Sequence, residues 1–158
     1  MIELVVLTLS ALVSVVLGAW IGNHWTKRME RVQATLDLYR KFYDPEMHRA
    51  RVLGAKTLLD SARAHTFNTL WEDDELESCY EALTQVVYFW FALAELSRVK
   101  MIDKPLASRL FAYPFEYWKP LLELLDENTR REGSTTQDWS TVVREDELDW
   151  LLRSARSV

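Results

Sequence analysis

Apolar residues are not spread evenly along this chain. From Ile2 to Gly22 they run almost without interruption, with Glu3 as the one charge. A helix of about 20 residues rising 1.5 Å per residue covers roughly 30 Å, the thickness of a bilayer's hydrocarbon core. The pattern therefore predicts a single transmembrane helix. The rival readings are a signal peptide and a buried core helix. A signal peptide carries basic residues ahead of a shorter apolar run, whereas Met1, Ile2 and Glu3 precede this one.

Beyond Gly22 the pattern becomes periodic. Trp25, Met29, Val32, Leu36, Tyr39 and Tyr43 follow at alternating steps of four and three, with no glycine or proline among them. That is a heptad-like seam, and it predicts that one helix continues out of the apolar run. The seam could face a second copy or the domain's own core. The second reading is favoured, because a small domain needs every helix for burial.

Asp44-Pro45 predicts a stop and a new start, with Asp44 as N-cap and Pro45 at the first helical position. A second helix is expected to run to about Ala64, with Met47, Val52, Ala55, Leu58, Leu59 and Ala62 on its apolar side. Phe67, Leu70 and Trp71 sit in a loop. A third helix is expected from Asp73 or Asp74 to about Val99. Its middle, Val86 to Ala94, is apolar on nearly all sides, the mark of a central core helix. Asp103 caps a short fourth helix ending near Tyr113, and Pro114 is expected to break it. A fifth runs from Phe115 to Arg131, with Pro120 tolerated in its first turn or as a kink. Gly133 reads as a stop, Ser134 to Gln137 as a loop, and Asp138 as the cap of a last helix from Trp139, bent near Arg144 to Asp146.

The fold class is thus all-α: an N-terminal transmembrane helix continuing into a cytosolic bundle of about five to six helices. The divisions are 1–25 for the anchor, 26–43 for the juxtamembrane helix and 44–158 for the cytosolic domain.

Charge adds an orientation. The basic residues Lys27, Arg28 and Arg31 follow the apolar run. By the positive-inside rule they stay in the cytoplasm, with the N-terminus outside, and Trp20 and Trp25 suit the membrane interface. The whole chain of 158 residues carries a net charge of -5, which argues against DNA as a partner. The segment from Lys27 to Arg63 is nonetheless basic, as anionic lipids on the inner leaflet would favour. The single cysteine, Cys79, rules out an intramolecular disulfide.

Ser10, Ser14, Gly18 and Gly22 recur every fourth residue. Such small-residue stripes let helices approach closely in lipid, so this one predicts self-association through the membrane helix.

Several short features occur together: the N-terminal span, the exit at Trp25-x-Lys27-Arg28, Pro45-Glu46-Met47 with Arg51, the aromatic core helix, Ile102-Asp103 before Leu110-Phe111, Trp118, and Arg131-x-Gly133 before Asp138-Trp139. In this layout the chain resembles a loose group of bacterial and phage-encoded single-span proteins with a small helical cytosolic domain of unassigned function. The resemblance implies this architecture and a setting in bacteria or their viruses, where some small membrane-anchored proteins of this build belong to antiviral defence or to superinfection exclusion.

The catalytic inventory is empty. His24, His48 and His65 lack partners at metal-ligand spacing, and no phosphate loop, nucleophile elbow or dinucleotide fingerprint is present. Neither a metal nor another cofactor is expected. The residual candidate is a set of cations, Arg49, Arg51, Lys56 and Arg63 with Arg130 and Arg131, which with nearby tyrosines and tryptophans suits an anion or nucleotide. Ordinary surface ion pairing is the plainer reading of the same residues. The leading expectation is a non-enzymatic, membrane-anchored binding protein that forms homo-oligomers. A nucleotide-gated membrane effector in phage defence is the alternative. An accessory subunit that packs on a protein partner in a larger complex is the third.

Overall fold

The computed structural model describes the backbone of residues 2–64, 77–131 and 145–155, and the side chains of 18–60, 77–125, 127 and 148–153. Among the described residues there are five helices and no strand: α1 (Ile2–Phe42), α2 (Pro45–Ala64), α3 (Glu77–Arg98), α4 (Lys104–Arg131) and α5 (Glu145–Ala155). The all-α expectation holds. The loop at Phe67, Leu70 and Trp71, the start near Asp73 or Asp74, and the features from Gly133 to Trp139 lie outside the described residues.

α1 is one helix of 41 residues. Among the described residues no helix is long and apolar enough to cross a membrane. The side chains of residues 2–17, most of the apolar run, lie outside that set. The face of α1 that enters the core is set by Thr35 and Phe42, both fully buried, with Leu38 and Tyr39 partly buried beside them. This is an i, i+3, i+4, i+7 face, rotated from the expected seam. Trp25 and Met29, each 59% exposed, contribute nothing to the core, and Tyr43 is also exposed.

The boundary between α1 and α2 follows the local chemistry. The Asp44 carboxylate accepts the Glu46 N–H at 3.0 Å, and the Asp44 carbonyl accepts the His48 N–H at 2.8 Å. This is the N-cap arrangement that satisfies donors otherwise left without partners. α2 packs mainly on α3. Gly54 makes the approach close: a Cβ there would lie 3.2 Å from the Leu83 Cα.

α3 ends in a Schellman motif. The Met101 N–H reaches the Leu96 carbonyl at 2.9 Å, and the Lys100 N–H reaches the Ser97 carbonyl at 3.2 Å. Lys100 takes the left-handed conformation with φ 60, a place usually given to glycine. The turn is tied to α1 through Thr35, whose hydroxyl donates to the Arg31 carbonyl at 2.7 Å and accepts the Asp103 N–H at 3.0 Å. Asp103 then caps α4, accepting the Leu106 N–H at 2.9 Å.

The expected break at Pro114 does not occur. α4 runs through both Pro114 and Pro120 for 28 residues. A proline inside a helix removes one hydrogen bond and costs about 3 kcal/mol. Phe111, Phe115, Trp118, Leu121, Leu122 and Leu125 are all buried along this helix, and each contributes roughly 1.5–3 kcal/mol. Burial on both sides of the proline outweighs the lost bond. α5 packs on α4 through Leu148 and Leu151, both fully buried. A Lys119–Asp149 ion pair at 2.9 Å and a bond from the Ser108 hydroxyl to the Leu151 carbonyl at 2.8 Å add to this contact.

The α2–α3 and α4–α5 pairs meet at a cluster of rings. Phe42 lies at its centre, with ring centroids 4.8 Å from Phe89, 5.5 Å from Trp90 and 5.8 Å from Phe111. Trp90 extends the cluster to Phe115 at 5.3 Å. These are edge and tilted contacts, favoured by the ring quadrupoles. The last turn of α1 therefore joins the two helical pairs.

Candidate functional site

A groove of about 770 Å³ opens between α2 and the middle of α4. α2 supplies His48, Arg51, Val52, Ala55, Lys56, Leu59 and Asp60, one face at helical spacing. α4 supplies Tyr113, Pro114, Tyr117 and Trp118, and Tyr43 closes one end. Tyr113 is 83% exposed and Tyr117 is 59% exposed, so the far wall is two tyrosine rings one helical turn apart.

Arg51 gives the groove its polarity. Its guanidinium carbon lies 4.0 Å from the centre of the Phe42 ring and 5.3 Å from that of Tyr43. One guanidinium N–H donates to His48 Nδ1 at 3.3 Å. Among the described residues no carboxylate pairs with Arg51, and its Nε is buried without a hydrogen-bond partner. Burial lowers the Arg51 pKa below its ordinary value, with Tyr43 opposing the shift. The buried Nε of a guanidinium without a counter-ion among the described residues leaves one donor in need of an acceptor. The cation–π contacts offset part of that cost.

Of the six cations singled out in the sequence, the structure brings Arg51 and Lys56 into the groove. Arg49 is exposed and does not line it. The side chains of Arg63, Arg130 and Arg131 lie outside the described residues. Sequence reasoning missed Tyr113 and Tyr117 as site residues. Their signal was a Tyr-Pro-x-x-Tyr spacing that puts two large rings on one side of α4, apart from its buried stripe.

A second concavity, of about 550 Å³, lies between α1 and the α3–α4 turn. It gathers His24, Lys27, Arg28 and Arg31 from α1 with Lys100 and Lys104 from the turn, and Asp103 is its one carboxylate. The three cations assigned to a membrane interface thus share a cleft with two more from a distant part of the chain. Trp20 is exposed and stacks on His24 at 6.0 Å. Along the small-residue stripe, a Cβ at Gly18 or Gly22 would meet nothing within 4 Å. The side chains of Ser10 and Ser14 lie outside the described residues.

Cys79 is half-buried on α3. Among the described residues no group of three His, Cys, Asp or Glu side chains is placed to hold a metal. Comparison with protein families, with curated proteins and with solved structures returned no match.

Proposed function

We propose that this chain is a membrane-anchored, non-enzymatic binding protein whose helical domain captures a small amphipathic anion in the α2–α4 groove. The observation that carries the reading is Arg51: a partly buried guanidinium with no carboxylate partner among the described residues and a buried Nε without an acceptor, in a groove walled by tyrosines and aliphatic side chains. The groove's size and mainly apolar walls suit a small molecule, and one convergent charge suits its orientation. The ligand class is an apolar body bearing a single anionic group, which Arg51 receives while Val52, Leu59 and the tyrosines cover the rest.

The apolar run of α1 supports the anchored part of the reading by its length and by the cations that follow it. In this arrangement the N-terminus lies outside the inner membrane and the domain lies in the cytoplasm. The open surface at Gly18 and Gly22 supports pairing of copies through α1. A nucleotide-gated effector is the second reading. Tyr113 and Tyr117 favour it, since nucleobases stack on tyrosine while a phosphate pairs with arginine.

The test is binding of an anilinonaphthalene sulfonate probe to the full chain in nanodiscs. Arg51→Met should weaken it at least about tenfold, the worth of one charge-assisted hydrogen bond, without lowering the melting temperature. Val52→Trp should fill the groove from an exposed position and abolish binding. Unchanged binding in both variants would discard the groove as the site. A thermal shift with a nucleotide but none with the sulfonate would transfer the site to the second reading.

A further inference from the structure

We propose that the cleft between α1 and the α3–α4 turn binds the phosphate of an anionic lipid headgroup, so that the turn is a second point of contact with the bilayer. The proposal rests on the membrane-anchored reading and adds a lipid class and a site to it.

The charge distribution is the first argument. Lys27, Arg28, Arg31 and Lys100 line the cleft, and among the described residues none of them forms an ion pair. Elsewhere among the described residues Arg40, Arg98, Lys119 and Arg153 have a carboxylate partner, whereas Lys41, Arg49, Arg51, Lys56 and Arg109 have none, so the cleft is set apart by gathering its cations in one concavity. The one acid in the cleft, Asp103, is engaged as the cap of α4. Lys104 has its ammonium 5.4 Å from the Trp150 ring. In a chain of net charge -5, unpaired cations from two distant segments therefore share one concavity. Their mutual repulsion is relieved by an anion, and a phosphate presents several acceptor oxygens to such a cluster.

The second argument is that the backbone on which these cations stand is fixed. Thr35 fixes the Asp103 backbone against α1, and the Schellman motif holds Lys100 at the tip of the turn.

The third argument selects a lipid over a soluble phosphate. Val99 and Met101 flank Lys100 and are 52% and 57% exposed. An apolar–cation–apolar tip suits the boundary between headgroups and acyl chains. His24 follows the end of the apolar run by two residues, and from there to Arg31 α1 rises about 10 Å, the scale of a headgroup layer. Trp25 is exposed on this stretch and Trp20 one turn before it, as interfacial anchors are.

The experiment uses the full chain carrying Cys79→Ser and Met101→Cys, labelled at position 101 with an environment-sensitive fluorophore. It is reconstituted in vesicles of phosphatidylcholine, with or without phosphatidylglycerol, that contain a lipid-borne quencher. Quenching should be strong only with phosphatidylglycerol. Arg28→Glu with Arg31→Glu should reduce the docked population roughly tenfold or more, at about fivefold per cation lost near an anionic surface. Equal quenching in both lipids, or quenching retained in the double variant, would overturn the proposal. So would relief of quenching by inorganic phosphate at constant ionic strength, which would make a free anion the ligand. Alkaline carbonate extraction of the same vesicles separates the two readings. Release of the unaltered chain overturns the anchor, whereas retention of the unaltered chain without quenching in phosphatidylglycerol overturns the cleft alone.

Discussion

The groove and the cleft are both concave and both cationic, yet they solve opposite problems. In the groove one guanidinium is partly buried, with its Nε shielded from water, and is held against aromatic rings. In the cleft several exposed cations line one concavity. A single desolvated charge binds through short-range, directional contact and discriminates between ligands by their shape. A cluster of hydrated charges acts through its summed field, which falls off within about a Debye length, some 8 Å in physiological salt. The groove is therefore suited to selecting a molecule and the cleft to sensing a surface. Salt distinguishes them, since it screens the exposed cluster far more than the half-buried arginine.

The largest way to break the comparison is to remove the ring that joins the two helical pairs and carries the groove's guanidinium. Phe42→Ala takes away the ring beneath Arg51 and the centre of the aromatic cluster. It should cost about 3–5 kcal/mol, much of the stability of a domain this size. Urea unfolding followed by tryptophan fluorescence measures it, and a loss below about 1 kcal/mol would show that Phe42 is not the joint between the helical pairs. A smaller change separates the two concavities. Thr35→Val keeps the shape but leaves the part-buried Asp103 N–H without its acceptor, for about 1 kcal/mol. Amide exchange should quicken across residues 99–106 and stay slow from 47 to 58, leaving the groove intact. Uniform quickening would mean that the two sites share one cooperative unit. The smallest effect is a gain. Lys100→Gly relieves a left-handed lysine and should add roughly 1 kcal/mol, raising the melting temperature by a few degrees while removing one cation from the cleft. Lys100→Ala removes the same charge without that relief, so equal melting temperatures in the two variants would reject the backbone explanation.

Much of the fold was legible because its signals are local. Asp44-Pro45 and Asp103 act on their own next turns, and the apolar middle of α3 can only be buried. Pro114 misled because its effect is local while the answer was set elsewhere. Ala107, Phe111, Phe115, Trp118, Leu122 and Leu125 form an unbroken helical stripe across it, visible in the sequence and stronger than one lost bond. The groove was half legible. Arg51 and Lys56 lie on a basic edge that can be read directly, but Tyr113 and Tyr117 join them only once α4 lies against α2. The cleft behaves alike: Lys27, Arg28 and Arg31 are adjacent in the chain, whereas Lys100 arrives through the bond between Thr35 and Asp103, 68 residues apart. Periodicity reports which face of a helix is buried and says little about what that face meets.

The continuity of α1 has a mechanical corollary. Its last turns are clamped in the aromatic cluster, and the rest projects as a cantilever. From Thr35 to the first turn is about 45 Å of helix, so each degree of tilt at the clamp displaces the far end by roughly 0.8 Å, following from that length. Phe42 touches both the clamp and the guanidinium of the groove. The ring that seats α1 in the core thus also carries the guanidinium of the groove, so the short arm of this lever and the groove share one side chain.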